Sequence, residues 1–230
     1  MIRDALLIAK KDVRVEISSR VIFGQVLPFS LLILILFGLA ISSDLIVTGD
    51  AKRTVLEQVS PGLFWLAIVF SSLFAVNRSF KIESDNGNLD ALRMAGIDPA
   101  AIFLGKALAI SLLIFILDLF VGALAVVIFN ASIIDFSILG VTVFAATISI
   151  SMSGTLYAGI TAGSRSKDTL MPLLLLPTMA PMLLIATRST EAALFSEDQT
   201  GWGWPMLLSV LAFLYTGIGM LSFGALMEES

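Results

Sequence analysis

Apolar residues in this chain gather into six long runs, each bounded by charged or turn-forming positions. About 20 apolar residues at about 1.5 Å each cross the roughly 30 Å hydrocarbon layer of a bilayer. The runs that meet this length predict six transmembrane helices, over residues 21–43, 61–80, 102–129, 138–163, 169–187 and 205–227. The second is short in its purely apolar part, which ends near Val76, and needs the polar stretch 77–80 to complete it. Residues 1–20 carry a different pattern. Ile2, Leu6, Ala9, Val13 and Ile17 share one helical face, with Arg3, Lys10, Lys11 and Arg14 beside or opposite it. That predicts an amphipathic helix lying in the membrane surface ahead of the first span; the alternative is a merely solvated, charged N-terminus. Lys10, Asp12 and Arg14 interrupt any apolar core of a secretory signal.

Composition agrees with the pattern. Of 230 residues, 57% are hydrophobic and 14% charged, where a soluble domain carries about 25% charged. A soluble chain this short has too much surface to hide such an apolar excess, so the solvent is lipid. The formal net charge of −4 gives no sign of a nucleic-acid partner. With no Cys, disulfides, iron–sulfur clusters and thiol catalysis are excluded; with no His, so are His-liganded metals, the Ser-His-Asp triad and the usual haem ligand.

Basic residues set the orientation. Eleven flank one side of the spans: Arg3, Lys10, Lys11, Arg14, Arg20, Arg78, Lys81, Arg93, Lys106, Arg165 and Lys167. Three, Lys52, Arg53 and Arg188, flank the other. Both termini are therefore expected in the cytoplasm, in agreement with an even number of spans. Trp202 and Trp204, just before Pro205, read as interfacial anchors on the outer side.

The largest cytoplasmic loop encodes more than a connector. Asp85, Asn86, Gly87 and Asn88 are turn formers and N-cap candidates, residues 89–95 suit two helical turns, and Gly96 is a helix stop. Asp98 then caps a new helix whose first residue is Pro99. Residues 83–97 thus predict a short helix parallel to the membrane, with Leu89, Leu92 and Met94 as apolar contacts beside Asp90 and Arg93. It serves either as a docking knob for a cytoplasmic partner or as a cover for the bundle's own end.

Three features lie inside the bilayer. Asp118 is near the middle of the third span, where a carboxylate costs about 2.5–3.5 kcal/mol and must face the bundle or a wet cavity. It is a substrate or proton site, or a hydrogen-bonded packing residue held by hydroxyls of the fourth span. In that fourth span, Ser149/Ser153 and Gly159/Gly163 have the four-residue spacing of a close-packing face, within the chain or against another subunit. Pro172, Pro177 and Pro181 remove donors from the fifth span and predict a bent or broken helix, beside a gate or as a static kink.

The chain lacks a G-x-x-x-x-G-K-[ST] loop; the nearest fragment, Gly105-Lys106-Ala107, has neither the loop nor the hydroxyl. Transport energy must then come from an ion gradient or from a partner, and a partner ATPase pressing on the 85–96 segment fits better than a relay with a single intramembrane acid.

An interfacial N-terminal helix, six spans and a short helix after the second resemble an ABC transporter permease of the type-2 exporter architecture (type V exporter-like). The run SPGLFWLAIVFSSLFAVNRSFKIESDNGNLDAL, residues 60–92, and LLLLPTMAPMLLIAT, residues 173–187, resemble more specifically the CcmB family, the permease subunit of the cytochrome c maturation haem-handling system. Asn77 departs from the family pattern, where an acidic residue is expected before the arginine. The resemblance implies an all-α membrane protein, one permease domain over residues 1–230, in the bacterial inner membrane. It implies a CcmA-like ATPase, a CcmC-like haem-binding membrane protein, a CcmD-like single-span protein and a CcmE-like haem chaperone as partners, with a second permease copy or a related subunit completing the pore. Haem and ATP are then handled by the complex, neither bound tightly by this non-catalytic chain, and ATP hydrolysis drives haem export or release of the loaded chaperone. The absence of His and Cys favours release. Carried onto this chain, the coupling segment is residues 83–96, with Leu89, Leu92 and Met94 entering a groove of the ATPase and Glu83, Asp85 and Arg93 in polar contact. The competing expectations are a generic ABC-2 permease for lipid, drug or polysaccharide, and a non-transporting membrane scaffold for an ATPase.

Overall fold

A computed structural model describes residues 1–19, 22–41, 45–48, 51–85, 96–161, 167–195 and 199–229. The amphipathic N-terminal pattern forms α1 (Ile2–Ser19), which buries Ala5, Ile8 and Glu16. Seven charged residues, from Arg3 to Glu16, prevent it from crossing lipid alone. A π-helical turn, Ile22–Val26, leads into α2 (Leu27–Ala40), which carries a proline in its first turn. Fourteen residues span about 21 Å, so α2 is shorter than the expected 21–43 span and draws on the π turn for reach.

Residues between the first two spans form an antiparallel hairpin of β1 (Leu45–Thr48) and β2 (Ala51–Thr54), with Leu45 opposite Thr54 and Thr48 opposite Ala51. Among the described residues it is the one element outside the helical pattern. Five long helices follow: α3 (Val55–Asp85), α4 (Pro99–Phe129), α5 (Phe136–Thr161), α6 (Lys167–Phe195) and α7 (Gly203–Glu229). All five are long and apolar enough to cross a membrane, and the pair 2–19 and 24–40, bent by 55°, makes a sixth where it counts as one span. The chain is thus an all-α membrane protein of five to six spans.

The helix ends have local causes. α3 starts at Val55 and not at Pro61, because Thr54 and Glu57 form a capping box. The Glu57 N–H donates to Thr54 Oγ1 at 3.1 Å and the Thr54 N–H to Glu57 Oε2 at 3.3 Å. Pro61 therefore lies inside the helix and leaves the Glu57 carbonyl without its helical donor; the Ser60 hydroxyl supplies one at 2.8 Å. α3 also runs past residue 80 to Asp85, so residues 83–85 of the expected coupling helix are the last turn of α3. Asp98 caps α4 by accepting from the Ala100 N–H at 3.0 Å, after Gly96 at φ +69°. Asp135 accepts from the Ser137 and Ile138 N–H groups at 2.8 and 3.1 Å and starts α5.

The fifth expected span differs most. Of the two expectations, bend or break, the break does not occur: α6 is one continuous helix through Pro172, Pro177 and Pro181, and it continues from 187 to Phe195. Each proline removes one bond, but abandoning the helix in lipid would expose whole turns of unpaired backbone. The extra turns are held by packing, with Ser189 fully buried and Thr190 5% exposed, and by a 2.8 Å Arg188–Glu191 ion pair.

Helix α5 is the hub, packing against α3, α4, α6 and α7. A Cβ on Gly154 would lie 2.8 Å from Val76, and one on Gly159 2.6 Å from Phe223, so these glycines allow α3 and α7 to approach closely. The hairpin lies at one end of the bundle. α1, the end of α3 and the start of α4 lie at the other, the basic end.

Candidate functional site

The basic end is assembled across long sequence separations. α1 lies on α4 at Gly105, where a Cβ would meet the Ala5 carbonyl oxygen at 2.7 Å and Ile8 Cβ at 2.8 Å. This close approach brings the acids of α1 to two bases. Asp12 Oδ2 is 3.4 Å from Lys106 Nζ on α4 and Asp12 Oδ1 is 3.0 Å from Lys11 Nζ. Glu16 Oε1 accepts from Arg78 Nε on α3 at 3.2 Å. The Lys106 side chain is fully buried, and its ammonium lies 4.7 Å from the Phe80 ring centroid, a cation–π distance. Ions this far from water persist only with close partners, so the cluster fixes α1 against both helices that bracket residues 86–95. Sequence reasoning missed these pairs: 62 residues separate Glu16 from Arg78 and 94 separate Asp12 from Lys106. The one available signal was Asp12 and Glu16, acids four apart on a basic helix.

A second polar feature lies between α3, α4, α5 and α6. Asp118, 3% exposed, accepts from the Thr147 hydroxyl on α5 through Oδ2 at 2.6 Å, while Oδ1 has no hydrogen-bond partner. It lines a cavity of about 250 Å³ whose walls are mostly apolar, among them Phe64, Val126 and Phe129. Thr190 also borders the cavity and accepts from Trp65 Nε1 at 2.8 Å. Asp118 thus has both a packing partner and an oxygen left over for a donor that enters the cavity. Among the described residues, no group of three His, Cys, Asp or Glu side chains is placed to hold a metal.

The remaining sequence-predicted residues divide by position. Ser149 is fully buried and donates to the Ala145 carbonyl at 2.8 Å and across to the Leu208 carbonyl of α7 at 3.2 Å. Ser153, also buried, lies 3.9 Å from Met182 Sδ on α6. With Gly159 against Phe223, this face is occupied inside the chain, which leaves these serines no surface for another subunit. Gly163, Leu89, Leu92, Arg93 and Met94 lie outside the described residues; Glu83 and Asp85 are placed by backbone only, in the last turn of α3.

Comparison with known proteins gives the arrangement a family. The family model described as CcmB protein matches residues 3–228. A relative from Haemophilus influenzae, named Heme exporter protein B, is 26% identical over 186 residues, 81% of this chain and 80% of its own. One of the same name from Rhodobacter capsulatus is 27% identical over 174 residues, 76% of each chain. The Escherichia coli protein of that name is 24% identical over 215 residues, 94% of this chain and 92% of the relative. The family match runs over nearly the whole chain, from the first turn of α1 to the last of α7, and the chain belongs to the CcmB family.

Proposed function

We propose that this chain is the permease subunit of a haem-handling ABC transporter complex in cytochrome c maturation, driven by a separate CcmA-like ATPase. The observation that carries the coupling is the placement of α1. Its Glu16 and Asp12 hold Arg78 on α3 and Lys106 on α4, so the two helices that enter and leave the 86–95 segment are tied to one lever. A push on that segment moves α3, α4 and α1 together. Leu89, Leu92 and Met94 enter the ATPase, with Glu83, Asp85 and Arg93 at the rim of the contact. The basic end faces the cytoplasm, as the eleven-to-three distribution of Lys and Arg supports, in the bacterial inner membrane.

The family and the names of its relatives support haem as the cargo of the complex. This chain has no His or Cys with which to hold haem iron. Its part is mechanical: it transmits hydrolysis to release of a haem-loaded, CcmE-like chaperone from a CcmC-like, haem-binding partner, with a CcmD-like subunit alongside. A second copy of the chain or a related subunit completes the membrane half. It hydrolyses nothing itself.

The test is affinity capture of the ATPase by membrane-inserted Leu89→Asp/Leu92→Asp chain. Two charges placed in an apolar contact abolish capture. Undiminished capture by the correctly inserted variant removes the docking claim.

A further inference from the structure

Between α1 and the lipid-facing side of α4 runs a groove of about 710 Å³ that the coupling reading does not use. Leu6, Val13 and Ile17 line it from α1, and Leu108 and Leu112 from α4. Lys10 and Arg14, one turn apart and both exposed, stand along it. The three acids of α1 are turned elsewhere: Asp4 to the N-terminal amine, Asp12 to Lys106 and Lys11, and Glu16 to Arg78.

Depth fixes what an occupant must be. α4 has 31 residues, about 46 Å of helix, and overhangs the roughly 30 Å hydrocarbon layer by about 8 Å at each end when centred. Leu108 and Leu112 lie about 14 and 20 Å from its start. They are therefore about 6 and 12 Å inside the acyl region, and 42% and 46% exposed. α1 crosses α4 at Gly105, about 9 Å from the start of α4 and so at the boundary between headgroups and chains, where a basic amphipathic helix is stable and long cationic side chains reach outward to the headgroups. The groove is thus apolar where acyl chains run and doubly cationic where phosphates lie.

We propose that this groove is a binding site for one anionic phospholipid, its phosphate held by Lys10 and Arg14 and an acyl chain laid along Leu6, Val13, Leu108 and Leu112. The charge pattern selects the headgroup: a zwitterionic lipid presents its own cation to Lys10 and Arg14, whereas phosphatidylglycerol does not. The bound lipid holds α1 to α4 on the side opposite the ion-pair cluster.

Native mass spectrometry of the full chain with its partner subunits, extracted from nanodiscs of mixed phosphatidylglycerol and phosphatidylcholine, tests this. Wild type retains phosphatidylglycerol in preference to phosphatidylcholine. Lys10→Gln/Arg14→Gln, on exposed positions that do not threaten folding, lowers that retention on the order of tenfold. Arg3→Gln, which removes a cation of the same helix outside the groove, leaves it unchanged. Leu112→Trp, which fills the apolar part, lowers it with both cations in place. Equal falls from Arg3→Gln and from the double variant, retention unchanged by the double variant, or displacement by glycerol phosphate that lacks acyl chains, would each overturn the proposal.

Discussion

At Asp118, one carboxylate oxygen is occupied by the Thr147 hydroxyl and the other lies unpartnered against an apolar cavity. Packing needs only the occupied oxygen. Asp118→Asn keeps an acceptor for Thr147 and removes the acid, so it separates the two roles. If the free oxygen serves the transported or proton-carrying species, the variant inserts and folds as wild type but loses ATPase-coupled cytochrome c maturation; wild-type maturation leaves only packing. Thr147→Val leaves both carboxylate oxygens buried without a protein donor and destabilises the bundle by about 1–3 kcal/mol, read as the thermal midpoint in detergent. Asp135 is a simpler case, outside the spans. The Ile138 N–H and then the Ser137 N–H, donating to its carboxylate, hold it below the ordinary 3.8. A group whose ionisation is favoured by folding stabilises the fold above its unfolded value and loses that contribution as pH falls through its folded value. The gap in thermal midpoint between wild type and Asp135→Ala is therefore constant from neutral pH down to about pH 5 and closes below 3.8.

Among elements, the contact of α1 with α4 depends on one missing methyl group. Gly105→Val places side-chain atoms where the Ala5 carbonyl and Ile8 now lie, and a backbone oxygen cannot swing aside as a side chain does. We expect α1 to lift from α4 at a cost of about 1–3 kcal/mol, with loss of disulfide cross-linking between cysteines introduced at Ile8 and Leu104. Absence of native Cys keeps that measurement clean. Helices such as α1 and α4 were legible because an apolar face at helical period, or a long apolar run between caps, is local information: the Asp98-Pro99 start of α4 is written in two residues. Local signals also existed where expectation went astray. Thr54-x-x-Glu57 is a capping-box spacing that moves the start of α3 ahead of Pro61. Leu45–Thr48, then Gly49-Asp50, is a β-prone run followed by a hairpin turn dipeptide. In α6 the three prolines left bend and break both open, and the helix stays continuous because a break in lipid would leave backbone groups unpaired. What no local pattern holds is which acid meets which base: Glu16 and Arg78 meet only after α1 has folded back along the bundle.

For the molecule as a whole, the proposed coupling makes that fold-back the step that decides whether a push at one end is transmitted or lost. A permease that only anchored an ATPase would need the docking segment and nothing behind it. Here both flanks of the segment are clamped to α1, by Glu16–Arg78 on α3 and Asp12–Lys106 on α4. The clamp and the dock are separable by experiment. Glu16→Arg sets like charges side by side and frees α3 from α1, as does Arg78→Glu; each single reversal retains ATPase capture, because residues 86–95 are untouched, but lowers cytochrome c maturation. The double reversal re-forms the pair with its polarity exchanged and restores maturation, with an interaction energy of about 1–3 kcal/mol in the cycle. A double variant no better than the singles, with the ATPase still captured and the chain still inserted, would mean that α1 carries no force and that the thrust enters through α3 or α4 alone.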